Sequence, residues 1–197
     1  MEYVKQLSKD KTLKKLMDHQ PPFSLKKRKN IFTYLCASII SQQLSTKVAS
    51  VINQRFVSLF EKEPSPEQLL ALPFETLRSI GLSNAKASYV QNVARFDLEY
   101  GLKSSTLNKM NNEEVIQYLT QIKGVGRWTA EMLLMFALGR EDIFAIDDLG
   151  IRNAMIGIYE LDITDKKELN KSLLTISASW SPYRTYACLH LWQWKDA

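Results

Sequence analysis

The chain has 197 residues, 45% of them hydrophobic and 24% charged, with only 7 glycines and 6 prolines. That length buries a substantial core as one domain or two closely packed lobes, and the composition leaves little room for disorder or a turn-rich β fold. Two distant cysteines, Cys36 and Cys188, exclude a disulfide framework and suit a reducing compartment; a net charge of +5 is compatible with a nucleic-acid partner without requiring one.

The start MEYVKQLSKDK has no apolar signal core, and no apolar run approaches membrane-spanning length, so an intracellular, monomeric protein away from membranes is expected. A first helix is predicted over 2–18, ended by Pro21-Pro22. The basic run Lys26-Lys27-Arg28-Lys29 reads as a solvated helix start or a peripheral phosphate contact, and a helix over 30–41 follows. Ser41-Gln42-Gln43-Leu44-Ser45 interrupts it, after which Ser45 or Thr46 caps a helix carrying Val48, Val51, Ile52 and Phe56 at helical spacing. Pro64 and Pro66 punctuate a loop before a short helix over 67–71, and Pro73 starts another. Next comes an internal echo: Ile80-Gly81-Leu82 before Ala87 shares a template with Ile122, Gly124-Val125 before Ala130, with Lys123 inserted. The first copy reads as a packing element, with Lys86 within reach of a phosphate. A helix beginning near 147–149, a linker over 161–164, a helix over 166–177 and an aromatic segment over 182–194 complete an all-α pattern without β alternation.

The sharpest local signal is LTQIKGVGRWTA, residues 119–130. Gly124 and Gly126 allow positive φ and present bare amides, and an apolar helical run with Thr129, Ala130, Met132, Leu133, Leu134 and Phe136 continues from them. A helix N-terminus flanked by Lys123 and Arg127 is an anion site by construction. About twenty residues on, FAIDDLGIR places Asp147 and Asp148 before a helix, where a carboxylate either caps or does chemistry. His19 and His190 lack ligand companions, so no transition metal is implied, and no general acid stands out.

Three blocks, SIISQQLST at 38–46, the hairpin with its downstream FAIDDLGIR, and SWSPYRTYACLHLWQW at 179–194, together resemble the helix-hairpin-helix (HhH-GPD) DNA glycosylase superfamily. The branch resembled is the alkylpurine one, typified by 3-methyladenine DNA glycosylase II, over roughly Phe32 to Trp194. The resemblance implies a two-lobed all-α fold with a central DNA- and base-binding cleft, in a single compact domain over 1–197. The hairpin would span 117–138, the N- and C-terminal segments would form one lobe, and the separate N-terminal α/β domain of the larger bacterial type would be absent.

The implied activity is monofunctional excision of N-alkylated purines, of the 3-methyladenine and 7-methylguanine type, from double-stranded DNA in base excision repair. A non-catalytic DNA-binding module and a glycosylase for another damaged base are the alternatives. Position by position, the resemblance makes Asp148 catalytic and leaves Asp147 as a cap or exposed residue. Trp128 stands where strand-cleaving relatives carry a Schiff-base lysine, which excludes that step and offers an aromatic wall to a cationic base. Trp192 would form a second wall, with Met132 and Leu149 lining the same pocket and Trp180 and Trp194 in the core. Gln43, or else Leu44, would fill the gap left by the flipped base. Lys123, Gly124, Val125, Gly126 and Arg127 would meet the DNA backbone, with Ser45 near the opposite strand. No cofactor is required, although a Na+ or K+ ion would sit on the carbonyls of Thr120, Ile122 and Val125.

Overall fold

The computed structural model describes residues 1–162 and 164–196, so residue 163 of the predicted linker lies outside it. The described residues form thirteen helices and no strand, and none of the helices is long and apolar enough to cross a membrane. In chain order they are α1 (Glu2–Leu7), α2 (Lys11–Met17), α3 (Ile31–Ser41), α4 (Thr46–Val57), α5 (Pro66–Ala71), α6 (Phe74–Ser79) and α7 (Asn84–Tyr100). Then follow α8 (Ser104–Leu107), α9 (Asn112–Thr120), α10 (Arg127–Phe136), α11 (Leu149–Tyr159), α12 (Lys166–Ala178) and α13 (Arg184–Asp196). Contacts divide the chain into two units, Lys27–Leu138 and Met1–Lys26 with Gly139–Ala197.

In the middle unit, α3 begins where the Asn30 side chain accepts the Thr33 amide at 2.9 Å. Its apolar positions Phe32, Leu35, Cys36, Ile39 and Ile40 are buried, and it packs on α4, α7 and α10. The long α7 also covers α5 and α6, burying Val90, Val93 and Ala94. Asn111 and Glu114 form a reciprocal capping box that starts α9. One face of α9 carries Val115, Ile116 and Leu119 inward, and α10 packs beside it with Ala130, Leu133 and Leu134 buried.

In the other unit, α13 packs on α11 and α2. The predicted 2–18 helix is broken there into α1 and α2, because Asp10 starts a new helix: its Oδ1 accepts the Thr12 and Leu13 amides, each at 3.0 Å. Its Oδ2 accepts the Tyr159 hydroxyl at 2.7 Å and the Trp180 indole at 3.0 Å. These hydrogen bonds outweigh burial and hold the Asp10 carboxyl below the usual carboxylate range. Trp180 is fully buried in this core beside Phe144 and Tyr159.

Candidate active site

The hairpin between α9 and α10 is built by two glycines with different tasks. Gly124 sits at φ +108°, and a Cβ there would overlap the Tyr89 ring, so both backbone and packing demand glycine. The Val125 amide closes the turn on the Ile122 carbonyl at 2.9 Å. Gly126 is the N-cap of α10, with no side-chain cap hydrogen bond and open space where a Cβ would stand. The cap residue therefore offers no side-chain acceptor to the first amides of α10.

Lys123 is exposed, and its carbonyl accepts the Asn92 side chain at 3.2 Å. The side chain of Arg127 is engaged by its neighbours. Its guanidinium makes two bonds to Glu113, at 3.1 and 2.9 Å, and a third to the buried Glu131 at 3.1 Å. The Glu113 carboxylate beside it raises the Arg127 pKa, and Glu113 is lowered in return. This side chain fastens α9 to α10.

Beside the hairpin, within the same unit, lies a cavity of about 800 Å³ whose walls include Tyr34, Ser38, Gln43, Trp128, Met132 and Phe136. Trp128 is 42% exposed, presenting an aromatic surface, and Met132 lies one turn further along α10, as the sequence spacing requires. The Tyr34 hydroxyl donates to the Met132 carbonyl at 3.1 Å, and burial raises its pKa, so the phenol stays neutral. No Asp, Glu, His, Lys or Arg is among the described residues lining this cavity. Sequence reasoning missed Tyr34, Ser38 and Phe136; the spacing Tyr34/Ser38 and Met132/Phe136, four apart on two helices, was the available signal.

The α3–α4 turn borders the same cavity. Gln42 is its anchor, donating from Nε2 to the Gly124 carbonyl at 3.3 Å and the Thr129 hydroxyl at 3.4 Å. Gln43 takes φ +57°, a left-handed conformation uncommon for a non-glycine residue, and both Gln43 and Leu44 are exposed. Ser45 caps α4 by accepting the Val48 amide. Lys86 does not reach outward to a phosphate: its ammonium donates to the Ile40 and Gln42 carbonyls at 2.8 and 2.6 Å, which lowers its pKa through desolvation and fixes the end of α3.

The carboxylate lies in the other unit. Asp148, rather than Asp147, is the N-cap of α11: its Oδ1 accepts the Ile151 amide at 2.9 Å and the Trp192 indole N–H at 2.9 Å. Asp147 is exposed. Leu149, read as a pocket residue, is the first residue of α11 and 69% exposed. Trp194, read as core, is 44% exposed beside Lys15, His19 and Ile158. His190 is buried, with Nδ1 2.7 Å from the Gln20 Oε1, and burial pushes it down to about 4, so it is neutral at physiological pH. No group of three His, Cys, Asp or Glu side chains placed to hold a metal occurs among the described residues.

Comparison with known proteins gives one consistent result. The family model described as HhH-GPD superfamily base excision DNA repair protein matches residues 36–178. DNA-3-methyladenine glycosylase 1 of Schizosaccharomyces pombe is 36% identical over 187 residues, covering 93% of this chain and 80% of that protein. YfjP of Bacillus subtilis is 33% identical over 171 residues, 83% of this chain, and the chain spans 58% of its length. Among solved structures, the S. pombe 3-methyladenine DNA glycosylase Mag1 in complex with abasic DNA superimposes with a TM-score of 0.85 at 32% identity, covering 100% of this chain and 98% of that one.

Proposed function

The chain belongs to the HhH-GPD superfamily of base excision DNA repair proteins, and on that premise we propose that it is a monofunctional DNA N-glycosylase that removes N-alkylated purines from duplex DNA inside the cell. The observation that carries this reading is the Asp148 carboxylate, tied through one oxygen to a backbone amide and an indole N–H. As the glycosidic bond breaks, positive charge builds on the sugar, and a fixed carboxylate stabilises it without reorganising. At ~4 Å and an effective dielectric of ~20 the attraction is roughly 4 kcal/mol, about three powers of ten in rate. The same group orients the attacking water.

The walls of the cavity support the substrate class. Trp128, Tyr34 and Phe136 offer aromatic surface, and a cationic alkylpurine gains roughly 0.5–2 kcal/mol from such a face. A neutral purine needs protonation to leave, and the cavity lining holds no ionisable side chain besides the neutral phenol of Tyr34, whereas an N-alkylated purine already carries its charge. Trp128 has no amine for a Schiff base, so the strand stays intact. Gln43, held exposed at its left-handed turn, is the side chain that fills the vacated stack, with Leu44 beside it. The amides from Gly124 to Trp128 take a phosphate. The carbonyls of Thr120, Ile122 and Val125 are hard oxygens of the kind a Na+ or K+ ion takes; Ile122 keeps a second lone pair beyond its bond to Val125.

The test is release of free 3-methyladenine and 7-methylguanine from methylated duplex DNA by the wild type and by Asp148→Asn. The wild type should release both and leave unbroken strands with abasic sites, and the substitution should cost about 10³-fold. A folded, DNA-binding wild type that releases neither base would overturn the reading in favour of a binding module.

A further inference from the structure

Glycine is a poor choice for a helix interior, less favourable than alanine by roughly 1 kcal/mol, so a buried helical glycine needs a reason. Gly150 is buried in the first turn of α11, two residues after the Asp148 cap. Its φ is outside the left-handed region, so conformation is not the reason. Space is. A Cβ on Gly150 would lie 3.1 Å from Asp148 Oδ1, 3.2 Å from Trp192 Cδ1 and 3.4 Å from Trp192 Nε1. One methyl group would press at once on the acceptor and the donor of a single 2.9 Å hydrogen bond. Two turns further along α11, Gly157 stands against Trp194, where a Cβ would come 3.3 Å from the ring edge. One helix thus keeps a glycine for each of two tryptophans on α13, which packs against it.

We propose that Trp192 and Gly150 are positioning residues for the Asp148 carboxylate: the indole N–H sets its orientation, and the missing side chain at Gly150 lets the two groups meet. Stacking alone would be served equally by phenylalanine, which has no N–H to donate. The indole N–H is a second donor on the oxygen that accepts the Ile151 amide, and because it comes from another helix it restrains the carboxylate about its cap bond. The kinetic consequence rests on the glycosylase reading above, whereas the geometry does not.

The experiment compares wild type, Trp192→Phe and Gly150→Ala in single-turnover excision of 3-methyladenine. It also follows DNA affinity and the Trp192 indole ¹H–¹⁵N resonance. Trp192→Phe should slow excision about 10- to 100-fold and change DNA affinity by less than about threefold. Gly150→Ala should move the rate the same way by a smaller amount and shift the indole resonance as the bond lengthens, with melting temperature nearly unchanged. A loss confined to DNA affinity, with the single-turnover rate kept, would reduce Trp192 to a wall and overturn the proposal. A Gly150→Ala protein matching wild type in rate and resonance would remove Gly150 from it. If the wild type releases no base, the functional reading fails by itself, while the indole resonance and its response to Gly150→Ala and Asp148→Asn still decide the geometry.

Discussion

Two turns in the middle unit share one backbone plan and differ in how they finish. Between α6 and α7 the chain runs through Gly81 at φ +103°, buried Leu82 and the cap Ser83; between α9 and α10 it runs through Gly124 at φ +108°, buried Val125 and the cap Gly126. The Ser83 Oγ accepts the Lys86 amide at 3.2 Å, and Gly126 has no side chain to accept with. The third residue past each cap reaches the same loop: Lys86 holds the Gln42 carbonyl and Thr129 receives the Gln42 amide. The scaffold therefore uses one turn twice, to grip the α3–α4 loop from two sides, and a serine-to-glycine difference separates the cap that carries a side-chain acceptor from the one that does not.

The sharpest way to break the pairing is at its two left-handed glycines. Gly124→Ala should destabilise the protein by about 3 kcal/mol or more, because overlap with Tyr89 adds to the left-handed cost. Gly81→Ala should cost only about 1–2 kcal/mol, since its nearest neighbour is Ile52 at 3.7 Å. Urea midpoints would measure both, and equal losses would deny Tyr89 its part. Next in size, Lys86→Met removes two carbonyl bonds and should cost about 2 kcal/mol. It should also speed hydrogen exchange at the Gln43 and Leu44 amides, while Thr129→Val, which loses a single 3.4 Å contact, does so less.

Exchanging the caps gives the smallest effects on stability and the clearest contrast. Ser83→Ala should cost about 1 kcal/mol and leave DNA affinity alone. Gly126→Ser should gain a few tenths of a kcal/mol yet weaken DNA binding several-fold as its hydroxyl takes the amides meant for phosphate. Unchanged binding by Gly126→Ser would mean that the open cap is not where the backbone is held.

This contrast also shows what could be read from the residues alone. The echo, the glycine pair and the all-helical plan were legible because each depends on neighbours within a few positions. Lys86 was not, because the carbonyls it holds lie 46 and 44 residues earlier. The 2–18 helix was overrun because apolar spacing continues through Asp10, although its capping of the Thr12 and Leu13 amides is local; the partners of its other oxygen, Tyr159 and Trp180, come 149 and 170 residues later. Trp180 and Trp194 carry no local mark that tells the buried ring from the exposed one. Asp148 took the capping role weighed for Asp147, and a cap and a reaction site make compatible demands on one carboxylate.

The engagement of Arg127 by Glu113 and Glu131 has a consequence for ionic strength. On the function proposed above, with the Arg127 cation paired and Lys123 the exposed one left beside it, contact through the oriented N–H dipoles of the hairpin would displace few counterions. Measured against log salt concentration, the logarithm of DNA affinity should fall with a shallow slope. The grip at the hairpin should then persist at salt levels that strip a surface coated in lysine.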